Sequence, residues 1–115
     1  MAVRNRLPRA LTLKSRVEVD ALLKKGRRLS GQYCTLVWQA SDDFRYTILV
    51  RKKDGPAHVR NRIKRLFREG IRLGRTGLDL KLRCAIFPRV TEQESAKSIQ
   101  DDVSQLFRRI DQRSH

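Results

Sequence analysis

Residues Arg51 to Arg75, RKKDGPAHVRNRIKRLFREGIRLGR, narrow the choice of fold more than any other stretch. Wound at about 100° per residue, Arg60, Asn61, Lys64, Arg65, Arg68 and Arg72 fall within about 140° of arc, and Val59, Ile63, Leu66, Phe67 and Leu73 within about 120° on the other side. A segment with that division is an amphipathic helix, docked by one face and basic on the other. The stretch holds ten of the 27 Lys and Arg of the chain, against only Asp54 and Glu69 as acids. A helix that merely faced water would carry both signs in pairs three and four residues apart. Arginines outnumber lysines, and their planar fork suits phosphates and base edges. A nucleic acid backbone is the partner that such a stripe fits.

The rest of the composition agrees. Formal charge is +15 over 115 residues, a self-repulsion that a polyanion would relieve. The length suits one small domain. No run of about 20 apolar residues offers a membrane span, and the N-terminus lacks the apolar region of a secretion signal, so a cytoplasmic protein is expected. Cys34 and Cys84 form no C-x-x-C and read as reduced core residues.

Taken in order, residues 1–14 read as a basic arm that Leu7, Leu11 and Leu13 pin to the body. Residues 15–112 read as a single α+β domain, and 113–115 as a frayed tail. Ser15 and Glu18 have capping-box spacing at the start of a first helix, which carries Val19, Leu22 and Leu23 and ends near Gly26 as its C′ residue. A short strand near Arg28 to Ser30 is allowed. Gln32 to Gln39 and Arg45 to Arg51 are rich in β-formers and alternate, with a turn over Ala40 to Phe44. The basic helix should run from near Ala57 to near Leu73, with Gly70 inside it at some cost and Gly74 or Gly77 ending it. Leu78 to Pro88 reads as a further strand. A last helix opening at Thr91 or Glu92 aligns Ile99, Val103, Leu106, Phe107 and Ile110 on one side.

No protein-borne catalytic constellation emerges. His58 and His115 are the two histidines, and Asp42-Asp43 and Asp101-Asp102 are neighbours whose side chains diverge. Asp54 and Asp79 read first as turn or cap residues, with contact to a hydrated magnesium ion shared with phosphates as the alternative, and no metal site held by the protein itself is expected. Tyr33 and Tyr46, taken as lying on neighbouring strands, either form a platform for unpaired bases or pack under the first helix. Lys52 and Lys53 stand close to the N-terminus of the basic helix, whose amides could join them on a phosphate.

The run KKDGPAHVRNRIKRLFRE closely resembles the signature of the bacterial ribonuclease P protein subunit. Lys52, Lys53, Ala57, Arg60, Asn61, Lys64, Arg65, Arg68 and Glu69 fall in place, and Arg62 lies among them. Asn5-Arg6-Leu7, the helix ending at Gly26, the strand pair and Ala85 to Arg89 also fit. The resemblance implies an α-β-β-β-α-β-α fold, related to the ribosomal protein S5 domain 2-like fold, with a left-handed βαβ crossover through the basic helix. It implies binding of a large catalytic RNA through Lys52, Lys53, Arg60, Asn61, Arg62, Lys64, Arg65, Arg68 and Arg72. It further implies help in removing the 5′ leader of precursor tRNA, with the magnesium ions held mainly by the RNA. A structural RNA-binding protein of the ribosome or its assembly is the alternative. A DNA-binding regulator fits poorly, because strands flank the basic helix.

In the family a cleft between the first helix and the sheet receives the leader, which implies a role for Val19, Leu23, Lys24, Tyr33, Tyr46 and Arg51. This chain departs from the family there. Val19 and Leu23 stand where many members carry phenylalanines, so stacking would pass to the tyrosines. Arg51 adds a charge where serine is usual, Arg83 replaces a frequent acid, and Phe87-Pro88-Arg89 ends the last strand in place of Ile-Ala-Arg.

Overall fold

A computed structural model describes residues 11–13, 15–89 and 95–113. Helix α1 (Arg16–Lys25) is followed by strands β1 (Arg27–Ser30), β2 (Cys34–Ala40) and β3 (Arg45–Ile48). Helix α2 (Ala57–Gly74), strand β4 (Leu82–Pro88) and helix α3 (Ala96–Arg113) complete the chain. The element order is α-β-β-β-α-β-α, as the resemblance implied.

The four strands form one sheet in the order β1-β2-β4-β3. β1 with β2 and β2 with β4 are antiparallel, whereas β3 and β4, joined through α2, are parallel. β4 therefore inserts between β2 and β3, and the two strands that carry or adjoin the tyrosines are not neighbours. The expected basic arm lies mostly outside the described residues, Leu7 included. Its end does pin to the body: the Leu13 N–H donates to the Tyr46 carbonyl at 2.7 Å, and Leu13 is buried.

Alternation divides the sheet into two faces. Leu29, Leu36, Trp38, Tyr46, Cys84 and Ile86 face α2 and α3 and make the larger core with Phe67, Ile71, Phe107 and Ile110. Val37 and Ala85 point the other way and meet Leu22 of α1 and Leu13. The greater part of the apolar burial thus lies under α2 and α3, and it fixes the basic helix rigidly on the sheet.

Local chemistry sets the ends of the helices. Ser15 caps α1, its hydroxyl accepting the Glu18 N–H at 3.4 Å. Gly26 is not the left-handed C′ residue expected, since its φ is −72°. Its lack of a side chain answers to crowding: a Cβ there would lie 2.6 Å from both the Leu22 carbonyl oxygen and Val37 Cγ1. Gly74 is the last residue of α2, as expected of one of the two glycines, and it also lies against α3. A Cβ on Gly74 would come within 3.2 Å of Phe107 Cδ2 and the Ser104 backbone, and one on Gly70 within 3.3 Å of Val103 Cγ2. These two glycines, one turn apart, form a seam on which α3 closes. Leu73, expected on the docked side, is exposed, because that side is centred on Ile63, Phe67, Gly70, Ile71 and Gly74.

The remaining strands and helices differ from the sequence reading at their ends. β3 stops at Ile48 and β4 starts only at Leu82, after the chain has turned at Gly77 (φ +80°). The expected start of the last helix at Thr91 or Glu92 lies outside the described residues. Helix α3 continues to Arg113, the first residue of the expected frayed tail, and the rest of that tail lies outside the described residues.

Candidate nucleic-acid interface

The sequence of α2 places its polar arc on the outer side of the molecule. Asn61, Arg62, Arg65 and Arg68 are exposed, while Arg60, Lys64 and Arg72 are half-buried along their stems. Arg62 sits on the flank of the stripe, roughly 60° beyond Arg65 at the ordinary helical pitch. Arg60 has its Nε buried without a hydrogen-bond partner among the described residues. Arg72 is not free: it forms an ion pair with Glu69, and that bond holds the Glu69 carboxyl below the usual carboxylate range. Glu69 thus spends its charge on Arg72, and among the described residues Arg60, Lys64, Arg65 and Arg68 have no carboxylate partner.

Lys52 and Lys53 lie in a single 3-10 turn, Lys52–Asp54, both exposed. Asp54 holds that turn by accepting the Arg51 N–H at 2.8 Å, and Gly55, at φ +135°, reverses the chain into α2. The turn brings two lysines to the N-terminal end of the basic helix, where the helix dipole also favours an anion. Arg51 is exposed beside them.

The implied leader residues are divided by the fold. Val19, Leu23 and Lys24 lie on α1, the two apolar ones half-buried against the smaller cluster. Tyr46 does not join them. It is 3% exposed and stacks on Phe44 on the opposite face of the sheet, beneath α2 and α3. A ring enclosed there cannot stack on a base, so the platform reading fails for Tyr46. Nor does it pack under α1. Tyr33, just ahead of β2, is half-buried and packs against the same α2–α3 core. The aromatic ring that does share the α1 face is Phe87. It is half-buried and meets the cluster to which Val19, Leu23 and Leu49 also belong. Sequence reasoning missed it, although the alternation of Ala85 and Phe87 opposite Val37 and Thr35 carried the signal.

A second omission is Asp102 on α3, which is 8% exposed. Its carboxylate accepts the Gln32 N–H at 2.8 Å and the Tyr33 N–H at 2.9 Å, capping the turn between β1 and β2. Gly31 lies so close that a Cβ would be 2.6 Å from Asp102 Oδ2. Arg89, the last residue of the Phe-Pro-Arg run, holds the other side of that turn through the Gly31 and Cys34 carbonyls. Burial first, and then Asp102, push the Cys34 thiol up to about 12, and burial pushes Cys84 higher still. Both are buried thiols unsuited to nucleophilic work. Among the described residues no three His, Cys, Asp or Glu side chains gather in a way that could hold a metal ion. Asp54 is engaged with the Arg51 amide, and Asp79 is exposed.

No helix among the described residues is long and apolar enough to cross a membrane. The family model for ribonuclease P matches residues 7–111. The ribonuclease P protein component of Fusobacterium nucleatum is 31% identical over 104 residues, 84% of this chain and 94% of that protein. That of Desulfotalea psychrophila is 39% identical over 74 residues, 63% of this chain and 62% of that protein. That of Thermus thermophilus is 44% identical over 50 residues, 44% of this chain and 31% of that protein. The chain therefore spans less than two thirds of the length of these last two relatives. Among solved structures, the ribonuclease P protein of Thermotoga maritima superposes with a TM-score of 0.76 at 24% identity, over 85% of this chain and 96% of that one. A Staphylococcus aureus ribonuclease P protein mutant superposes with a TM-score of 0.77 at 23% identity, over 88% of each chain. At that identity the superpositions establish the fold, and the family match over residues 7–111 establishes the lineage: the chain belongs to the ribonuclease P protein family.

Proposed function

We propose that this chain is the protein subunit of a ribonucleoprotein endonuclease that removes the 5′ leader of precursor tRNA. Its basic α2 face docks on a catalytic RNA. The observation that carries this reading is the α2 stripe, in which Arg60, Lys64, Arg65 and Arg68 stand outward with no carboxylate partner among the described residues, directly behind the Lys52-Lys53 turn. Magnesium-dependent cleavage belongs to the RNA, which holds the ions. The protein contributes charge, a rigid helix and a surface for the substrate. Each phosphate that the stripe engages adds roughly 0.7 to 0.9 to the slope of log affinity against log salt.

The leader runs along α1, against Val19, Leu23 and the ring of Phe87, with Lys24 and Arg51 as flanking charges. Phe87 takes the stacking role that the absent α1 aromatics leave open, worth about 1–3 kcal/mol for a stacked base.

Reconstitution with the catalytic RNA tests both parts. Protein alone should leave precursor tRNA intact in magnesium. A folded Arg60→Ala/Arg65→Ala/Arg68→Ala variant should bind that RNA more weakly and with a shallower salt slope. Phe87→Ala should reduce the preference for precursor over mature tRNA about fivefold or more, whereas Tyr46→Phe should leave it unchanged. RNA binding without any stimulation of leader removal would favour a structural RNA-binding role instead.

A further inference from the structure

The chain carries a second basic cluster, on the sheet edge opposite β3. Lys25 ends α1, and Arg27 and Arg28 open β1, so three cations lie within four residues. All three are exposed, and none has a carboxylate partner among the described residues. Gly26 cannot be widened without striking Leu22 and Val37, so the bend that gathers these cations is sterically enforced. β1 is the edge of the sheet opposite β3, the strand that leads to the Lys52-Lys53 turn. With two strands between them, the edges are separated by three strand spacings, roughly 14 Å.

Alternation sends the two arginines to opposite faces of this edge. Arg28 pairs with Val37 on the α1 side, and Arg27 with Trp38 on the α2–α3 side. The Arg27 guanidinium lies 5.7 Å from the centroid of the Trp38 ring, which braces an otherwise floppy exposed side chain. A guanidinium stacked on an indole keeps its outer face and its N–H fork available, the arrangement that receives an unpaired base or a phosphate. The outer side of β1 adds backbone N–H groups, since among the described residues β1 pairs with β2 alone.

We infer that Lys25, Arg27 and Arg28, with Arg27 braced on Trp38, form a second RNA-binding surface. It takes the backbone of a single-stranded segment while α2 holds another. The inference rests on the RNA-binding reading of α2 but concerns a separate set of residues. An anionic membrane is the poorer occupant, because the apolar partners of this edge, Leu29 and Trp38, are buried rather than offered outward.

Trp38 is the single tryptophan of the chain, so an emission change on binding has one source, the indole under Arg27. The probe is oligouridylate, titrated at several salt concentrations into the full chain, with vesicles of phosphatidylglycerol as the second arm. Binding should shift or quench Trp38 emission, and should still do so in an Arg65→Ala/Arg68→Ala variant whose α2 contacts are weakened. A Lys25→Gln/Arg27→Gln/Arg28→Gln variant should lower the salt slope by about 2, so that raising salt from 50 to 200 mM costs it roughly twentyfold less affinity than wild type. Arg27→Lys should keep most of the slope but lose most of the emission change, which a purely structural cation would not do. Wild-type slope and affinity in the triple glutamine variant, with its urea midpoint preserved, would overturn the inference. So would a variant that self-associates with RNA affinity intact, which would make these cations guards of a bare strand edge, or an emission change with vesicles and none with RNA. If instead the α2 variant binds as wild type does, the reading of α2 fails while this one stands.

Discussion

The turn between β1 and β2 is held from α3 by one carboxylate, and its removal has a calculable cost. Asp102→Ala deletes the acceptor of the Gln32 and Tyr33 amides. Hydrogen bonds to a charged group contribute about 1.5–3 kcal/mol each. The two amides are only partly buried, so water recovers part of this, and a net loss of about 2–4 kcal/mol is expected. That is a large fraction of the ordinary stability of a small domain, about 5–15 kcal/mol. The same geometry makes a sharper prediction. Gly31→Ala would place its Cβ 2.6 and 2.7 Å from the two Asp102 oxygens, although Gly31 is not among the glycines with positive φ and alanine suits its backbone. In the wild-type background the clash should cost about 1–3 kcal/mol. In the Asp102→Ala background those oxygens are gone, and Gly31→Ala should cost almost nothing or stabilise slightly by restricting the unfolded chain. The double variant should therefore be more stable than the sum of the single ones by about 1–3 kcal/mol. Urea unfolding followed by Trp38 emission measures all four corners of the cycle. Additivity to within about 0.5 kcal/mol, or an Asp102→Ala loss below about 1 kcal/mol, would refute the idea that this carboxylate fixes the turn.

Two further outcomes follow from the packing. Gly74→Ala should destabilise the protein by about 1 kcal/mol or more in urea, although alanine in a free helix would gain nearly that amount, because the new methyl meets Phe107 and the Ser104 backbone; a stabilised variant would show that α3 is not seated on α2 as described. Alkali should weaken the fold through its thiols. Folding raises the Cys34 thiol from 9.0 to about 12 and Cys84 further, so both stay protonated in the native state while the unfolded chain ionises. The protection they give is complete below pH 9 and is lost at about 1.4 kcal/mol per pH unit per thiol as pH rises through the window from 9 toward 12. Urea titrations at pH 8, 9 and 10 should show a shallower alkaline decline in Cys34→Ala, and an unchanged slope would sink this assignment.

What was legible in the sequence is what short-range periodicity encodes. The α2 stripe needed only the 3.6-residue repeat of charge against Val59, Ile63 and Phe67, and α3 needed only Ile99, Val103, Leu106, Phe107 and Ile110. Ser15 and Glu18 announced the start of α1 because capping is settled within one turn. The two faces of each strand were equally legible, since alternation is a property of the strand itself. The signature from Lys52 to Glu69 was legible for the same reason, being one helix and the turn before it.

Only the tertiary structure decided which face meets which helix. A strand pattern places Tyr46 and Phe87 on opposite faces of their strands, but not under α1 or under α2 and α3. That followed from β4 inserting between β2 and β3, a pairing between residues 38 to 54 apart. Tyr46 consequently went to the core, and Phe87 to the α1 side. Asp102 gave no local sign of its role, because its partners at Gln32 and Tyr33 are 70 and 69 residues away. Gly26, Gly70 and Gly74 looked like helix ends or helix weaknesses. Their space is filled by other elements, Val37 for the first and α3 for the other two. Local sequence sets the conformation of each segment, but a close approach between segments depends on atoms that sequence neighbours do not supply.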